Sequence, residues 1–189
     1  MIFDNIADKH RDIPPTHLQS LLQFIELLWK WNKKINLISK SCRKEEILER
    51  HVLDSYQLGN LIRNKNKLIA DIGTGGGFPG LILALSGFIN CHLIEQNNKK
   101  SIFLKNALKE LSINANVITQ DASKVSGFTA DYITSRAVCS ISKILELSQS
   151  FFDDKTVFLL LKSIHQKNEI DEISKNWSFT LQVHENKYN

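Results

Sequence analysis

The chain has 189 residues, of which 42% are hydrophobic and 23% charged, with a net charge of +4. These values suit one soluble globular domain with a small appendage, and neither a repeat nor a low-complexity segment interrupts them. The absence of a membrane-length apolar run, of a signal-like core in "MIFDNIADKH", of paired CxxC cysteines and of clustered histidines argues against a membrane span, a secreted disulfide scaffold and a metal site.

Pro14-Pro15-Thr16 marks a helix start with Thr16 as the expected cap, and Leu18, Leu21, Leu22, Ile25, Leu28 and Trp29 follow at helical spacing. From Trp29 to Lys44 there are six cations, Lys33 and Lys34 among them, and no acid. Such a stretch can follow a phosphate backbone, although charge alone better describes a solvated helix end followed by a loop. "KEEILERHVLDSYQLGNLI" predicts a second amphipathic helix. At Lys67 the pattern changes to short apolar strands alternating with helices: "LIADIG", "PGLILALSG", "CHLIE", "NKKSIFLKNALKEL", "NVITQ", "DYITSRA", "SISKILELSQSFF" and "KTVFLLLK". That alternation predicts βαβ units and a mostly parallel, doubly wound α/β sheet. Residues 1–66 are expected to form a helical cap on the same compact unit, and 67–189 the Rossmann-like ligand-binding part.

Five of the eight glycines fall within "DIGTGGGFPG", residues 71–80. A glycine turn between the first strand and the first helix lies at the sheet edge where open α/β folds bind ligands. Pro79 suits the first helical position because its missing N–H has no helical partner there. Glu95, 22 residues after Gly73, ends the second strand and can accept hydrogen bonds from both hydroxyls of a ribose. A dinucleotide fingerprint matches formally from Gly75 to Gly80, but begins two residues late relative to the strand. Counted from Gly73, the pattern is GxGxG preceded by Asp71, which suits S-adenosylmethionine, a ligand with a ribose and no phosphate. A nicotinamide-dependent oxidoreductase using the same turn is the alternative.

The segment after the fourth strand, "ITSRAVCS", has no proline, so it lacks the Asp/Asn-Pro-Pro-Tyr/Phe loop associated with exocyclic amine methylation. Cys139 lacks the setting of a cytosine-attacking nucleophile and reads as a small buried thiol. The acceptor that remains is one whose own lone pair attacks, such as a guanine ring nitrogen, so that catalysis rests on positioning.

"HVLDS" (51–55), "DIGTGGGFPG", "HLIE", "SRA" (135–137) and "LLLK" (159–162) occur in the order and spacing that resemble the ribosomal RNA small subunit methyltransferase G family, also called the glucose-inhibited division protein B family. The resemblance runs from "LLWKWNKKINL" to about Lys162. It implies a class I fold and methyl transfer from S-adenosylmethionine to guanine N7 in small-subunit ribosomal RNA, free or in a 30S assembly particle, by a cytoplasmic monomer without metal. It also implies that Gly73, Gly75, Phe78 and Glu95 contact the donor. Ala122, Ser123 and Lys124 would bracket its adenine, and Arg136 would touch it beside the acceptor, with Lys162 as a second catalytic cation. His51, Asp54, Ser55, Lys33, Lys34, Lys99 and Lys100 become expected RNA contacts. Glu95 replaces the family's usual aspartate and Ser163 its glycine, and the family's last strand is expected to be short, rearranged or missing. A non-catalytic RNA-binding or assembly module of the same fold is the second alternative.

Overall fold

In the computed structural model, residue 10 and residues 13–136, 138–162 and 167–186 are described. Leu18, Leu21, Phe24, Ile25, Leu27 and Leu28 recur every three or four positions, so a helix through them has one apolar stripe, and all are buried. That helix, α1, spans Pro15–Asn32. It starts two residues earlier than the sequence suggests: Pro14 occupies the cap, Pro15 opens the helix, and Thr16 lies inside the first turn. Pro15 wins because its ring fixes φ at a helical value and it lacks the N–H that would need a cap.

The second predicted helix is not one continuous α-helix. It runs as α2 (Lys44–Ile47), a wide π turn (Leu48–Leu53), α3 (Asp54–Tyr56) and a 3₁₀ turn (Gln57–Leu61). Its buried apolar residues explain the change. Ile47 and Val52, and Leu48 and Leu53, are five apart, the spacing of a π turn, and all four are buried.

Among the described residues five strands follow: β1 (Ile69–Ile72), β2 (Cys91–Ile94), β3 (Asn116–Ile118), β4 (Tyr132–Arg136) and β5 (Val157–Leu161). They form one parallel sheet in the order β3-β2-β1-β4-β5. Between them lie α4 (Gly80–Leu85), α5 (Asn98–Glu110) and α6 (Ile141–Ser148), with α7 (Lys167–Ile173) after β5. Pro79 is the cap of α4 rather than its first residue. Asn97 caps α5, its side chain accepting from the backbone N–H groups of Lys99 and Lys100.

One core joins α1 and the segment 44–61 to α4, α5 and one sheet face. Phe24 lies edge-on to Phe78 at 5.7 Å, and Trp31 meets Phe103 at 5.8 Å, so the N-terminal helix shares this core. Trp29 and Trp31 are partly buried against it. Ala122, Val125, Ile133, Ile144 and Phe151 form the second core, on the other face. Residues 178–186 carry no strand, so among the described residues the sheet ends at β5. From β1 the chain winds outward to β3, then returns to place β4 on the other side. The strand order therefore reverses between β1 and β4, and the crevice at their carboxyl ends is where such sheets bind ligands.

Candidate active site

The end of β1 turns through Gly73, Gly75 and Gly77, with φ of 68°, 57° and 101°. Any other L-residue would be strained there. Gly73 and Thr74 donate backbone N–H bonds to the Ile94 carbonyl, at 2.9 and 3.2 Å, which ties the turn to β2. Asp71, fully buried, fixes the far side. Its Oδ2 accepts from the Gly80 N–H at 3.0 Å and its Oδ1 from the Thr134 hydroxyl at 2.8 Å. Burial pushes the Asp71 pKa up to about 7, against the pull of those hydrogen bonds.

Glu95, only 6% exposed, lies beside the turn. One carboxylate oxygen accepts from the Gly75 N–H at 2.9 Å and the other from the Asn97 N–H at 2.8 Å. The same carboxylate therefore braces the glycine turn and the start of α5. A cleft of about 660 Å³ opens over this edge. Gly73, Gly75, Phe78, Glu95, Ala122 and Arg136 all line it. His51 and Lys100 line it as well.

Other expected residues lie elsewhere. Ser123 and Lys124 are exposed beside the cleft rather than in its wall, while Gln120 and Asp121, just upstream, line it. The Asp121 side chain accepts from the Ser123 N–H, so the 3₁₀ turn presents residues 120–122 inward. Ser55 is fully buried and its hydroxyl donates to the His51 carbonyl at 2.7 Å, so it is a poor RNA contact. Lys33, Lys34 and Lys99 are exposed. Lys162 is absent from the cleft wall. Its Nζ donates to the Cys139 carbonyl at 2.6 Å and to Glu169 Oε2 at 3.0 Å. Glu169 also accepts the Ile141 N–H at 2.7 Å, so this pair holds residues 139–141 at the entrance to α6.

Arg136 ends β4 on the opposite wall. Its Nη2 donates to the Arg50 carbonyl at 2.7 Å, its Nε lies 3.7 Å from Asp54 Oδ2, and its guanidinium lies 5.7 Å from the Phe78 ring centroid. The His51 ring meets the same Phe78 at 5.4 Å. Burial, followed by the charges of Arg136 and Arg50, lowers the His51 pKa to about 4, so its imidazole is neutral at physiological pH. Its Nε2 lies 3.7 Å from Cys42 Sγ, and its Nδ1 is buried without a hydrogen-bond partner. Burial raises the Asp54 pKa, with Arg136 and Gln57 opposing it.

Leu37, Ile38, Val138 and Lys143 also line the cleft, and the sequence reading missed them. Asn32 is the one visible signal for the first two. Its Oδ1 accepts from both the Leu37 and Ile38 N–H groups, at 2.9 and 3.1 Å, folding the basic loop back onto Gly76. Among the described residues no His, Cys, Asp or Glu cluster could hold a metal ion, and no helix is long and apolar enough to cross a membrane.

A reversed-order parallel sheet, a glycine turn and an acid after β2 define a Rossmann-like class I S-adenosylmethionine-dependent methyltransferase. Solved structures share the fold. The magnesium protoporphyrin IX methyltransferase of Synechocystis, with bound S-adenosylmethionine, aligns with a TM-score of 0.57 at 14% identity over 81% of this chain and 85% of its own. A methyltransferase of Thiobacillus denitrificans in complex with S-adenosylhomocysteine gives 0.51 at 15% identity, over 71% and 53%. The family model described as rRNA small subunit methyltransferase G matches residues 17–188. The chain is also 35% identical to the ribosomal RNA small subunit methyltransferase G of Rickettsia bellii, over 92% of this chain and 89% of the relative. The chain belongs to the rRNA small subunit methyltransferase G family and is an S-adenosylmethionine-dependent rRNA methyltransferase.

Proposed function

We propose that the chain methylates N7 of a guanine in small-subunit ribosomal RNA, acting in the cytoplasm as a monomer on the RNA or a 30S assembly particle. The observation that carries this reading is the pairing of two walls. Glu95 and the glycine turn form one, and the Arg136, Phe78 and His51 cluster forms the other, across one cleft.

The turn fits the methyl donor by its chemistry. Gly75 leaves bare backbone at the cleft, where a Cβ would meet only the Gly73 carbonyl, at 3.6 Å, whereas a Cβ on Gly73 or Gly77 would strike Val138 or Phe24. Glu95 would hold the ribose hydroxyls, with Ala122 beside the adenine. S-adenosylmethionine, when bound, supplies an electrophilic methyl group. A guanine N7 carries its own lone pair and has no proton to lose, so the chain needs no general base at the acceptor. The task left to its residues is alignment, which can contribute roughly 7–11 kcal/mol in favourable cases.

The Arg136 guanidinium can donate to guanine O6 or a neighbouring phosphate. A neutral His51 adds no further positive charge beside an acceptor that itself becomes cationic. Lys162 acts through the Cys139 carbonyl, holding the rim of the cleft. Lys33, Lys34, Lys99 and Lys100 would meet the phosphate backbone, and residues 1–66 would work as one unit with the sheet, a reading supported by the core that the described residues from Ile13 to Ile62 share with it.

The test is methyl transfer from labelled S-adenosylmethionine to small-subunit RNA and, separately, to 30S particles, followed by identification of the product nucleoside. The expected product is 7-methylguanosine. A methyl on another atom, or on a protein, would overturn the reading.

A further inference from the structure

We infer that Asn186, close to the carboxyl end of the chain, is a positioning residue for Arg136 and acts through Asp54. The inference rests on the functional reading above.

Asp54 is the anion beside Arg136, and the two side chains are only 17% and 19% exposed. Its two oxygens have different partners. Oδ2 faces Arg136 Nε at 3.7 Å, while Oδ1 accepts from Asn186 Nδ2 at 2.9 Å and Gln57 Nε2 at 3.2 Å. Gln57 Nε2 also donates to Asn186 Oδ1 at 2.9 Å, closing a ring of three side chains. Asn186 thus donates and accepts on adjacent atoms, which neither a carboxylate nor an aliphatic side chain can do. It reaches Asp54 across 132 positions of sequence.

The ring has two consequences. With its amide donors gathered on Oδ1, the carboxylate is oriented so that Oδ2 is the oxygen turned to Arg136. Those donors also favour the charged form of a group that burial drives toward neutrality. Arg136 is otherwise held by the Arg50 carbonyl and the face of Phe78. Asp54 is therefore its only charged lateral support among the described contacts, and Asn186 sets that support. A residue outside the conspicuous motifs would in this way fix the angle of the guanidinium toward the acceptor.

The experiment compares the full chain with Asn186→Ala and Asn186→Asp, the latter keeping the shape while removing the donor. Three readouts are taken: calorimetric S-adenosylmethionine affinity, the kcat and KM of methyl transfer, and the Arg136 Nε–H resonance in protein labelled with ¹⁵N-arginine. Losing one hydrogen bond to a charged group predicts a kcat fall of about tenfold, with donor affinity held within about twofold. The Arg136 resonance should move in both variants. In an Asp54→Asn background the Asn186 substitutions should cause little further loss, because the path is already broken. Wild-type kcat in Asn186→Asp, an unmoved resonance, or the same tenfold loss in the Asp54→Asn background would each overturn the inference. If the wild-type chain transfers no methyl to guanine, the functional reading fails instead, and the Arg136 resonance still decides the positioning.

Discussion

Replacing Gly80 with alanine tests whether the last glycine of "DIGTGGGFPG" serves a ligand or the packing of the fold. Gly80 opens α4, and a Cβ there would lie 2.5 Å from Asp71 Cβ, 2.6 Å from Leu93 Cδ2 and 2.7 Å from Asp71 Oδ2. Carbon atoms pack at about 3.5–4.0 Å, so α4 would have to lift from the sheet by roughly 1 Å. Asp71 Cβ is fixed to β1 and Leu93 is fully buried, so neither can give way. Overpacking of this kind costs about 1–3 kcal/mol. Stretching the Gly80 N–H bond to a buried carboxylate costs about 1–3 kcal/mol more. Better helix propensity returns about 1 kcal/mol. The expected net loss is about 1–5 kcal/mol, measured by urea unfolding without ligand. Gly127→Ala is the control. Nothing lies within 4 Å of its Cβ position, but its φ is 94°, so it should lose stability through backbone strain alone and leave donor affinity intact. If Gly80→Ala unfolds within about 0.5 kcal/mol of wild type while donor binding collapses, Gly80 is a ligand contact and the packing argument is wrong.

Glu95→Ala should weaken S-adenosylmethionine binding by about 10- to 100-fold in calorimetry, since it also leaves the Gly75 and Asn97 N–H groups without their acceptor. Lys162→Met should lower kcat more than donor affinity, because it releases the Cys139 carbonyl and Glu169 without touching the glycine turn; equal loss in both would refute that role. For His51, the unfolded ring takes its proton near pH 6.5 and the folded ring only near 4, so acid favours the unfolded chain. The contribution is intact above pH 6.5 and lost as pH falls toward 4. The shift corresponds to about 3 kcal/mol at most, and solvent access to part of the ring reduces it to about 1–2 kcal/mol. Unfolding titrations of wild type and His51→Gln across that range should converge at the acid end.

Much of this architecture was legible because short buried strands and glycine turns are local. "LIADIG", "CHLIE", "DYITSRA" and "KTVFLLLK" each became a strand, since a continuous apolar run bounded by turn residues has few other ways to be buried. Glu95 was legible as well, because the end of the second strand lies beside the glycine turn that follows the first. The segment 44–61 was read as one helix because a 3.6-residue period tolerates its apolar positions. The five-residue steps from Ile47 to Val52 and from Leu48 to Leu53 favour the π turn, and they emerge only when burial is known. Lys162 was placed at the chemistry by analogy, and its partners Glu169 and the Cys139 carbonyl lie in parts of the chain that no local pattern connects. Asn186 was invisible for the same reason: a single asparagine in an irregular terminal segment carries no periodicity.

These contacts divide the site between two kinds of structural support. The wall proposed for the donor is built by neighbours in sequence: Gly73, Gly75 and Gly77 turn on themselves, and Glu95 follows one helix later. Backbone hydrogen bonds to Ile94 and Glu95 make that wall part of the sheet. The wall proposed for the acceptor is assembled from distant pieces. Arg136 from β4 meets Arg50, His51 and Asp54 from the irregular segment and, through Asp54, Asn186. If the acceptor is the guanine N7 proposed above, its free lone pair asks for orientation rather than proton transfer, and the angle of one guanidinium would then carry more of the rate than any titrating group. Its side-chain supports are few, and each depends on tertiary folding. Loss of one should therefore reduce turnover well before it reduces donor binding, whereas damage to the glycine turn should reduce stability and donor binding together.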